Sequence, residues 1–271
     1  MPSKPLRLIL IGDVVGRPGR RFVRAALPQV KEKFRPDVVI ANGENSAGGL
    51  GIIRRTADEL FEAGVNVLTG GNHTWDKKEA LELLASEQRI LRPLNFHHSA
   101  PGSGAFTYRT EGGHAVTVVS LQGRVFMEPV VDNPFTAIDE FLQKLGQPVV
   151  LIDFHAEATA EKQAMGFFLD GRVSAVLGTH THVPTADARV LENGTAYQTD
   201  VGMTGSLDSI IGMKREPIIS KFYNGMHQKF EVAQGNPVLD MTVVDVDPKS
   251  GRATHIEAHR YHEATYGQEL S

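Results

Sequence analysis

Short apolar runs alternate with longer amphipathic stretches along most of the chain, and nearly every apolar run ends in polar residues. The runs have the length and continuity of buried strands and cover residues 6–11, 37–41, 65–69, 148–154 and 173–177. The stretches between them have helical spacing of their apolar residues and cover 17–34, 56–63, 77–84, 133–145 and 158–168. This alternation predicts an α/β fold with buried, largely parallel strands.

Antiparallel pairs are predicted where the alternation changes. Glycine-containing turns separate two pairs of strand-like segments, 105–109 from 115–121 and 188–191 from 195–198, as in β-hairpins. Two further strands, 237–246 and 252–261, close the pattern. Residues 90–95 are predicted as another short strand, and 200–205 as a glycine-rich turn. Residues 206–235 show no clear period, and we interpret them as a small lid or oligomer-contact insertion.

Composition narrows the class of protein. With 271 residues and 41% apolar residues, we expect one domain spanning 1–271. The net charge of −4 gives no electrostatic footprint for long duplex nucleic acid. The absence of cysteine excludes disulfides and thiolate metal sites. We expect a cytoplasmic protein without membrane contact, because there is no signal-peptide pattern and no apolar run near the roughly 20 residues that span a bilayer.

Polar side chains that can bind metals follow five of the predicted strands. They are Asp13, Glu44, Asn45, Asn72, His73, His155, His180 and His182. The carboxyl ends of strands in an open α/β sheet form the edge where ligands bind. Each position also has a plainer interpretation: Asp13 as a helix N-cap, 42–45 and 70–73 as ordinary turns, and the two late histidines as unrelated to metal. Their recurrence at five strand ends favours a shared site.

The types of side chain indicate which metals fit. Oxygen and imidazole ligands without sulfur suit iron, manganese, zinc or nickel, and the set is too rich in nitrogen for calcium. His180 and His182, at i and i+2, point to one side if the backbone is extended. Without His73, which can instead move a proton, seven candidate ligands remain, and seven exceed one coordination sphere. Two metals that share a bridging carboxylate are therefore expected. A two-metal site generates hydroxide at neutral pH and clamps an in-line phosphoryl displacement.

The blocks Gly12-Asp13, Gly71-Asn72-His73, His155 and Thr179-His180-Thr181-His182 resemble the metal-binding blocks of calcineurin-like metallophosphoesterases, and the resemblance extends from residue 6 to about 205. Two positions depart from the usual pattern. Val15 stands where the first block normally has histidine, and Glu44 stands where the second normally has aspartate. Together with the runs 13–19 and 200–205, these departures resemble the bacterial YmdB-like branch of the family.

The resemblance implies a fold, a site and an activity. The fold would be a layered α/β/β/α sandwich. Metal one would bind Asp13, Glu44, Asn45 and His182, and metal two would bind Glu44, Asn72, His155 and His180, with Glu44 bridging. His73 would lie outside the coordination shell and protonate the leaving oxygen. The metals would be two divalent or trivalent transition ions, with iron expected and manganese or zinc as alternatives.

Two classes of function follow from the resemblance. The first is a metal-dependent phosphodiesterase that hydrolyses small nucleotide substrates, with 2',3'-cyclic nucleotides as the expected class, and that forms a homo-oligomer. The second is a metal-containing regulatory protein that binds a ribonuclease or another partner. The presence of His73 favours the enzyme, because a binding protein has no need of a general acid. The remaining histidines 97, 98, 255, 259 and 262 are predicted to be structural or surface residues.

Overall fold

Alternate residues of the first strand enter two different hydrophobic cores. In the computed structural model, which describes residues 4–263, Leu8 and Leu10 belong to one core, whereas Ile9 and Ile11 belong to another. This is the two-residue period of a strand that is covered on both faces. The apolar run Leu6–Ile11 therefore forms strand β1 in the interior of a sheet.

The described residues form thirteen strands and six helices. The strands are β1 Leu6–Ile11, β2 Asp13–Val14, β3 Val38–Asn42, β4 Val67–Thr69, β5 Ala105–Arg109, β6 Ala115–Gln122, β7 Val150–His155, β8 Ala175–Thr179, β9 Arg189–Val190, β10 Ala196–Gln198, β11 Met203–Ser206, β12 Pro237–Val246 and β13 Ala253–His262. The helices are α1 Gly16–Phe34, α2 Arg54–Ala63, α3 Ala80–Ser86, α4 Pro134–Lys144, α5 Thr159–Phe168 and α6 Arg215–Asn224.

These strands build two sheets. The first has the order β2-β11-β12-β1-β3-β4, with β13 paired to β12, and the second has the order β5-β6-β7-β8-β10-β9. Strands β1, β3 and β4 run parallel, as do β6, β7, β8 and β10. Both predicted hairpins, β5–β6 and β9–β10, are confirmed as antiparallel pairs.

Three hydrophobic cores separate four layers. One core packs α1, α2 and α3 against the first sheet, and it includes Phe22 and Leu60. The middle core lies between the two sheets and includes Leu10 from the first sheet and Leu151 from the second. The third core packs α4 and α5 against the second sheet through Ile138 and Met165. The layers therefore follow the order helix, sheet, sheet, helix.

Three local predictions differ from the structure. Residues 90–95 do not form a strand, because Ile90 and Leu91 make only isolated bridges to Leu68 and Ser103. The predicted turn 200–205 is wrong in its second half, where Met203–Ser206 forms β11 between β2 and β12. The helix predicted from residue 77 begins only at Ala80.

Residues 206–235 contain helix α6 and lie largely on the surface. Phe222 and Tyr223 on this helix are 84% and 91% exposed. The function of the segment as a lid or as an oligomer contact stays a prediction. Among residues 4–263, no helix combines the length and the apolar character that crossing a membrane requires.

Candidate metal centre

The strand ends of both sheets meet at one edge of the sandwich, and they bring all eight polar residues named from the sequence together. The first sheet supplies Asp13 from β2, and the loops after β3 and β4 supply Glu44, Asn45, Asn72 and His73. The second sheet supplies His155 from β7, together with His180 and His182 from the loop after β8. The site therefore forms only when the two sheets are packed together.

One group of ligand atoms surrounds Nε2 of His155. That atom lies 3.0 Å from Glu44 Oε1, 2.9 Å from Asn72 Oδ1 and 3.0 Å from His180 Nδ1. Glu44, His155 and His180 each present a ligand atom within 4.8 Å of the others. Glu44 and His155 are buried, so these polar atoms have little access to solvent.

A second group adjoins the first through Glu44. Asp13 Oδ1 lies 3.6 Å from His182 Nε2 and 3.4 Å from Asn45 Nδ2, and the same amide nitrogen lies 3.3 Å from Glu44 Oε1. A single carboxylate oxygen, Oε1 of Glu44, thus faces both groups. The structure directs the amide nitrogen of Asn45 into this group, so ligation through its oxygen requires rotation of the amide by a half turn.

In each imidazole of the centre, the ring nitrogen that points away from the other ligand atoms has a polar partner. His155 Nδ1 lies 2.9 Å from Thr179 Oγ1, and His182 Nδ1 lies 2.9 Å from the carbonyl oxygen of Ile211. His180 has the opposite orientation, with Nδ1 facing the centre and Nε2 lying 3.2 Å from Glu157 Oε2. A hydrogen-bond partner on the remote nitrogen fixes the ring and its tautomer, which is the usual arrangement around a metal-binding histidine.

His73 lies beside the two groups. Its backbone N–H donates to Glu44 Oε2 at 3.0 Å, and its ring nitrogen Nδ1 lies 2.8 Å from Asp76 Oδ2. Because a carboxylate accepts hydrogen bonds, Nδ1 carries the proton in this pair. The side chain of His73 is 31% exposed, so its ring can reach a bound ligand. Asp76 was not anticipated from the sequence, although its i+3 spacing from His73 was visible.

Burial and neighbouring charges set the protonation of the centre. Burial alone raises the pKa of Asp13, but the charges of His182 and His155 outweigh it and hold that pKa well below its ordinary value. Burial alone lowers the pKa of His155, yet Glu44 and Asp13 reverse this and raise it to about 9. Burial and the charge of His155 lower the pKa of His180 to about 3. The carboxylates of Glu44 and Asp13 therefore favour a protonated imidazole at His155.

The loop that carries His180 and His182 is not extended. Their φ angles are +101° and +65°, so the extended backbone that the i, i+2 prediction required is not present, although both rings reach the centre. Positive φ is unfavourable for residues other than glycine and persists only where surrounding contacts impose it. Buried Lys162 provides such contacts, because its Nζ donates to Thr179 O at 2.8 Å and to Asp200 Oδ2 at 2.6 Å.

Asp200 and Asp153 complete this support. Asp200 Oδ2 also accepts the backbone N–H of Thr181 at 3.1 Å, in the middle of the histidine loop. Asp153 accepts the Thr179 hydroxyl at 2.6 Å, and burial raises the pKa of Asp153 to about 6. Lys162 and Asp153 were not among the residues predicted from the sequence. The available signal was a charged residue within an otherwise apolar run, as at Asp153 two residues before His155.

The structure decides between the alternatives for several polar residues. Asp13 is not a helix N-cap, because Val15 caps α1 and the Asp13 carboxylate instead accepts the N–H of His180 at 3.1 Å. Asn42 is the last residue of β3, and its Oδ1 accepts the N–H of Glu44 at 3.1 Å, which shapes the turn that follows the strand. In the part of the chain that the structure describes, histidines 97, 98, 255, 259 and 262 make no hydrogen bond to the centre.

The layers and the strand-end cluster define the class of protein, an α/β/β/α sandwich with a carboxylate, amide and imidazole centre suited to transition metals. The chain belongs to the YmdB-like protein family, whose model matches residues 9–259. It is 46% identical over 254 residues to a Bacillus subtilis protein named 2',3'-cyclic-nucleotide 2'-phosphodiesterase, covering 93% of this chain and 96% of that protein.

Two solved structures share the fold. A Thermus thermophilus protein described as hypothetical is 46% identical, with a TM-score of 0.90 over 95% of this chain and 100% of that one. A Mycoplasma pneumoniae protein described as a novel phosphatase is 34% identical, with a TM-score of 0.92 and full coverage of both chains. The resemblance to the YmdB-like branch is thereby confirmed.

Proposed function

We propose that this protein is a metal-dependent phosphodiesterase that hydrolyses 2',3'-cyclic nucleotides. The observation that carries the proposal is the orientation of His155, His180 and His182, each with one nitrogen in the centre and the other held by a hydrogen-bond partner. The names of the Bacillus relative, a phosphodiesterase, and of the Mycoplasma structure, a phosphatase, support hydrolysis of phosphate esters.

The donor atoms fit two transition metals. Asp13, Glu44, Asn45 and His182 would hold one ion, and Glu44, Asn72, His155 and His180 would hold the other. The mixture of hard oxygens and imidazole nitrogens suits iron, with manganese or zinc as alternatives. When bound, the two ions supply a hydroxide nucleophile at neutral pH and offset the charge of the phosphoryl group.

The protein's own acid is His73. Hydrolysis of a 2',3'-cyclic phosphate adds water to phosphorus and breaks one ring P–O bond, so the departing ribose oxygen must receive a proton. His73 lies next to Glu44 through its backbone N–H, and Asp76 orients its ring. An imidazole in this position donates the proton to the leaving oxygen.

The test combines metal content with substrate preference. Protein reconstituted with manganese or iron is expected to hold two ions per chain by elemental analysis. It is expected to hydrolyse 2',3'-cyclic AMP faster than 3',5'-cyclic AMP or a phosphoserine peptide. A content of one ion or fewer after reconstitution, or the opposite substrate preference, would contradict the proposal.

A second role, contact with another protein, is favoured by the exposed apolar side chains of α6. Ile219, Phe222 and Tyr223 are 57%, 84% and 91% exposed. Large apolar side chains exposed together on one helix are typical of a protein contact surface. We propose that α6 joins copies of this chain into a homo-oligomer, with a ribonuclease as the alternative partner. Light scattering of the Phe222→Ser/Tyr223→Ser variant is expected to show a smaller species than the wild type. A wild-type monomer would contradict the homo-oligomer.

A further inference from the structure

A cleft beside the metal centre is lined by basic side chains that have no acidic partner. It has a volume of about 970 Å³ and is bounded by the first half of α1, the start of α2 and the loop after Asn45. Arg17, Arg21, Arg24, Arg55 and Lys77 line it. Within residues 4–263, none of these five side chains makes a hydrogen bond or an ion pair with the protein.

The acidic residue in this cleft, Glu59, already forms an ion pair with the buried arginine, Arg20. Glu59 Oε2 lies 2.6 Å from Arg20 Nε. Arg20 is buried and also donates to the carbonyl oxygen of Ser46. Local charge in the cleft is therefore strongly positive although the chain carries a net charge of −4. A local positive surface of this kind attracts a short polyanion that fits the cleft, whereas the negative net charge of the chain disfavours a long duplex.

The basic residues are arranged in a row that leads away from the centre. Arg17, Arg21 and Arg24 occupy positions i, i+4 and i+7 of α1 and so share one face of the helix. At 1.5 Å per residue, the row extends about 10 Å along the helix axis. Its first member follows Gly16, whose N–H donates at 2.9 Å to the carbonyl oxygen of Asn45, itself part of the centre.

We infer that this cleft binds the phosphodiester backbone of a single-stranded oligonucleotide whose 2',3'-cyclic phosphate end lies in the metal centre. The inference rests on the proposed function and extends it from mononucleotides to oligonucleotide ends. A row of guanidinium groups suits successive phosphates, since each can form charge-assisted, bidentate hydrogen bonds. The cyclic phosphate is at the 3' terminus, so the phosphates on its 5' side occupy the row.

The chemistry at the terminus does not change. Water adds to the cyclic phosphorus and the bond to one ribose oxygen breaks, which leaves a terminal phosphomonoester on the oligonucleotide. No further reactant is consumed. The cleft residues would affect only the binding of the oligonucleotide and not the chemical step, because they do not contact the reacting phosphorus.

The first experiment compares two substrates with a matched pair of variants. The substrates are uridine 2',3'-cyclic phosphate and hexauridylate with a 2',3'-cyclic phosphate end. The cleft variant is Arg21→Gln/Arg24→Gln, which retains helix-forming residues. The control is Arg109→Gln/Lys249→Gln, which removes the same charge from exposed positions outside the cleft. The preference for hexauridylate over the mononucleotide, as a ratio of kcat/KM, is expected to fall about tenfold in the cleft variant alone.

The second experiment does not depend on activity. Binding of hexauridylate with a free 3' hydroxyl is followed by fluorescence anisotropy at several salt concentrations. Loss of two phosphate contacts is expected to flatten the slope of log K against log salt by about 1.4, at 0.7 for each phosphate of a single strand. If no substrate is hydrolysed but this binding still depends on the two arginines, the proposed activity fails and the cleft is supported.

Three results would overturn the inference. The first is an active enzyme in which the cleft has no effect. In that case both proteins hydrolyse the cyclic mononucleotide, and the wild type and the cleft variant bind and cleave hexauridylate equally. The second is failure of the wild type to bind hexauridylate at low salt. The third is cleft-dependent binding to phosphatidylglycerol vesicles without binding to hexauridylate, which would assign the cleft to a lipid surface.

Discussion

Nδ1 of His182 lies 2.9 Å from the carbonyl oxygen of Ile211, so the segment between β11 and α6 holds one imidazole of the metal centre. Gly212 follows Ile211 with a φ of +92°, and a Cβ added there would lie 2.6 Å from Cγ1 of Val15. Val15 stands where the resemblance to calcineurin-like metallophosphoesterases implies a histidine. A small apolar side chain at this position leaves room for the turn that orients His182.

Gly212→Ala tests this relationship. The added methyl group is expected to displace the turn from Val15 and to move the Ile211 carbonyl away from His182. Loss of such a supporting hydrogen bond typically weakens metal binding about 10–100-fold. Isothermal titration of the metal-depleted variant with manganese should show weaker binding at one of two sites.

The control for this variant is Gly225→Ala. Gly225 also has positive φ, +71°, but a Cβ there would meet no atom within 4 Å. It therefore reproduces the backbone strain without the steric displacement, and its metal affinity should match the wild type. Equal weakening in both variants would show that the Ile211 contact has no special effect.

His73 and Asp76 provide a second prediction. His73→Ala should retain both metals but lower turnover of 2',3'-cyclic AMP by about 10²–10⁴-fold, the usual contribution of a general acid. Asp76→Asn should have a smaller effect of the same kind, because it removes the orienting carboxylate and keeps the imidazole. Steady-state kinetics and metal analysis of both variants provide the measurement.

Leaving-group dependence separates acid catalysis from other causes. Bis-p-nitrophenyl phosphate releases a good leaving group that needs little protonation, so His73→Ala should slow its hydrolysis less. His114→Ala serves as the control, since His114 lies on the β5–β6 turn. Loss of metal from His73→Ala would identify His73 as a ligand instead.

Asn45 carries a third prediction. Its amide adjoins Asp13, Glu44 and His182, so Asn45→Ala removes a neutral donor from one group of ligands only. The ion held with Asp13 and His182 should be lost selectively, and the ion held by Asn72, His155 and His180 should persist. Anomalous diffraction from crystals of the variant measures each occupancy. Full occupancy of both positions with unchanged activity would make Asn45 a turn residue.

The buried pair Lys162–Asp200 carries a fourth prediction. Lys162→Met leaves Asp200 without its cation in a buried position, which typically destabilises a protein by about 3–5 kcal/mol. Burial already raises the pKa of Asp200, and loss of Lys162 raises it further. The loss of stability should therefore be greatest at high pH and shrink as pH falls, because protonation removes the unpaired charge. Denaturant unfolding at pH 5 and pH 8 measures both effects.

Two control variants show whether the effect of Lys162→Met comes from the unpaired buried charge. Lys162→Met/Asp200→Asn should recover part of the lost stability, because no unpaired charge remains. Lys214→Met breaks an ion pair of the same length, 2.6 Å, on the surface and should leave the unfolding midpoint unchanged. If Lys162→Met unfolds at the wild-type midpoint at both pH values, the buried pair does not support the histidine loop.

Local chemistry explains which elements were predictable. Gly64 ends α2 with a φ of +109° and its N–H bonded to Leu60 O, as a glycine after a helical pattern indicates. Gly194 likewise turns the β9–β10 hairpin with positive φ. Strand β11 could not be recognised, because its short sequence, with Gly205 inside, is a strand only through pairing with β2 and β12.

The convergence of the polar strand-end residues was predictable from the sequence, whereas the geometry of their cluster was not. The carboxyl ends of parallel strands lie at one edge of a sheet, so the polar residues of each sheet could be grouped from the order of elements. The packing of the two sheets then brings both groups together. The positive φ angles of His180 and His182 depend on the buried Lys162–Asp200 pair, which lies in other elements. The contact from Ile211 depends on a segment with no readable period. Such tertiary contacts leave no local pattern in the sequence.

The pairing of β1 with β12 has a consequence for synthesis of the protein. Leu6 lies opposite Val246, 240 residues later, so β1 acquires this neighbour only after those residues have been synthesised. At 5–20 residues per second, the wait is about 10–50 s. Until then β1 exposes an unpaired edge, and β11 has no β12 to join. A nascent chain therefore needs protection from edge-to-edge association during that interval.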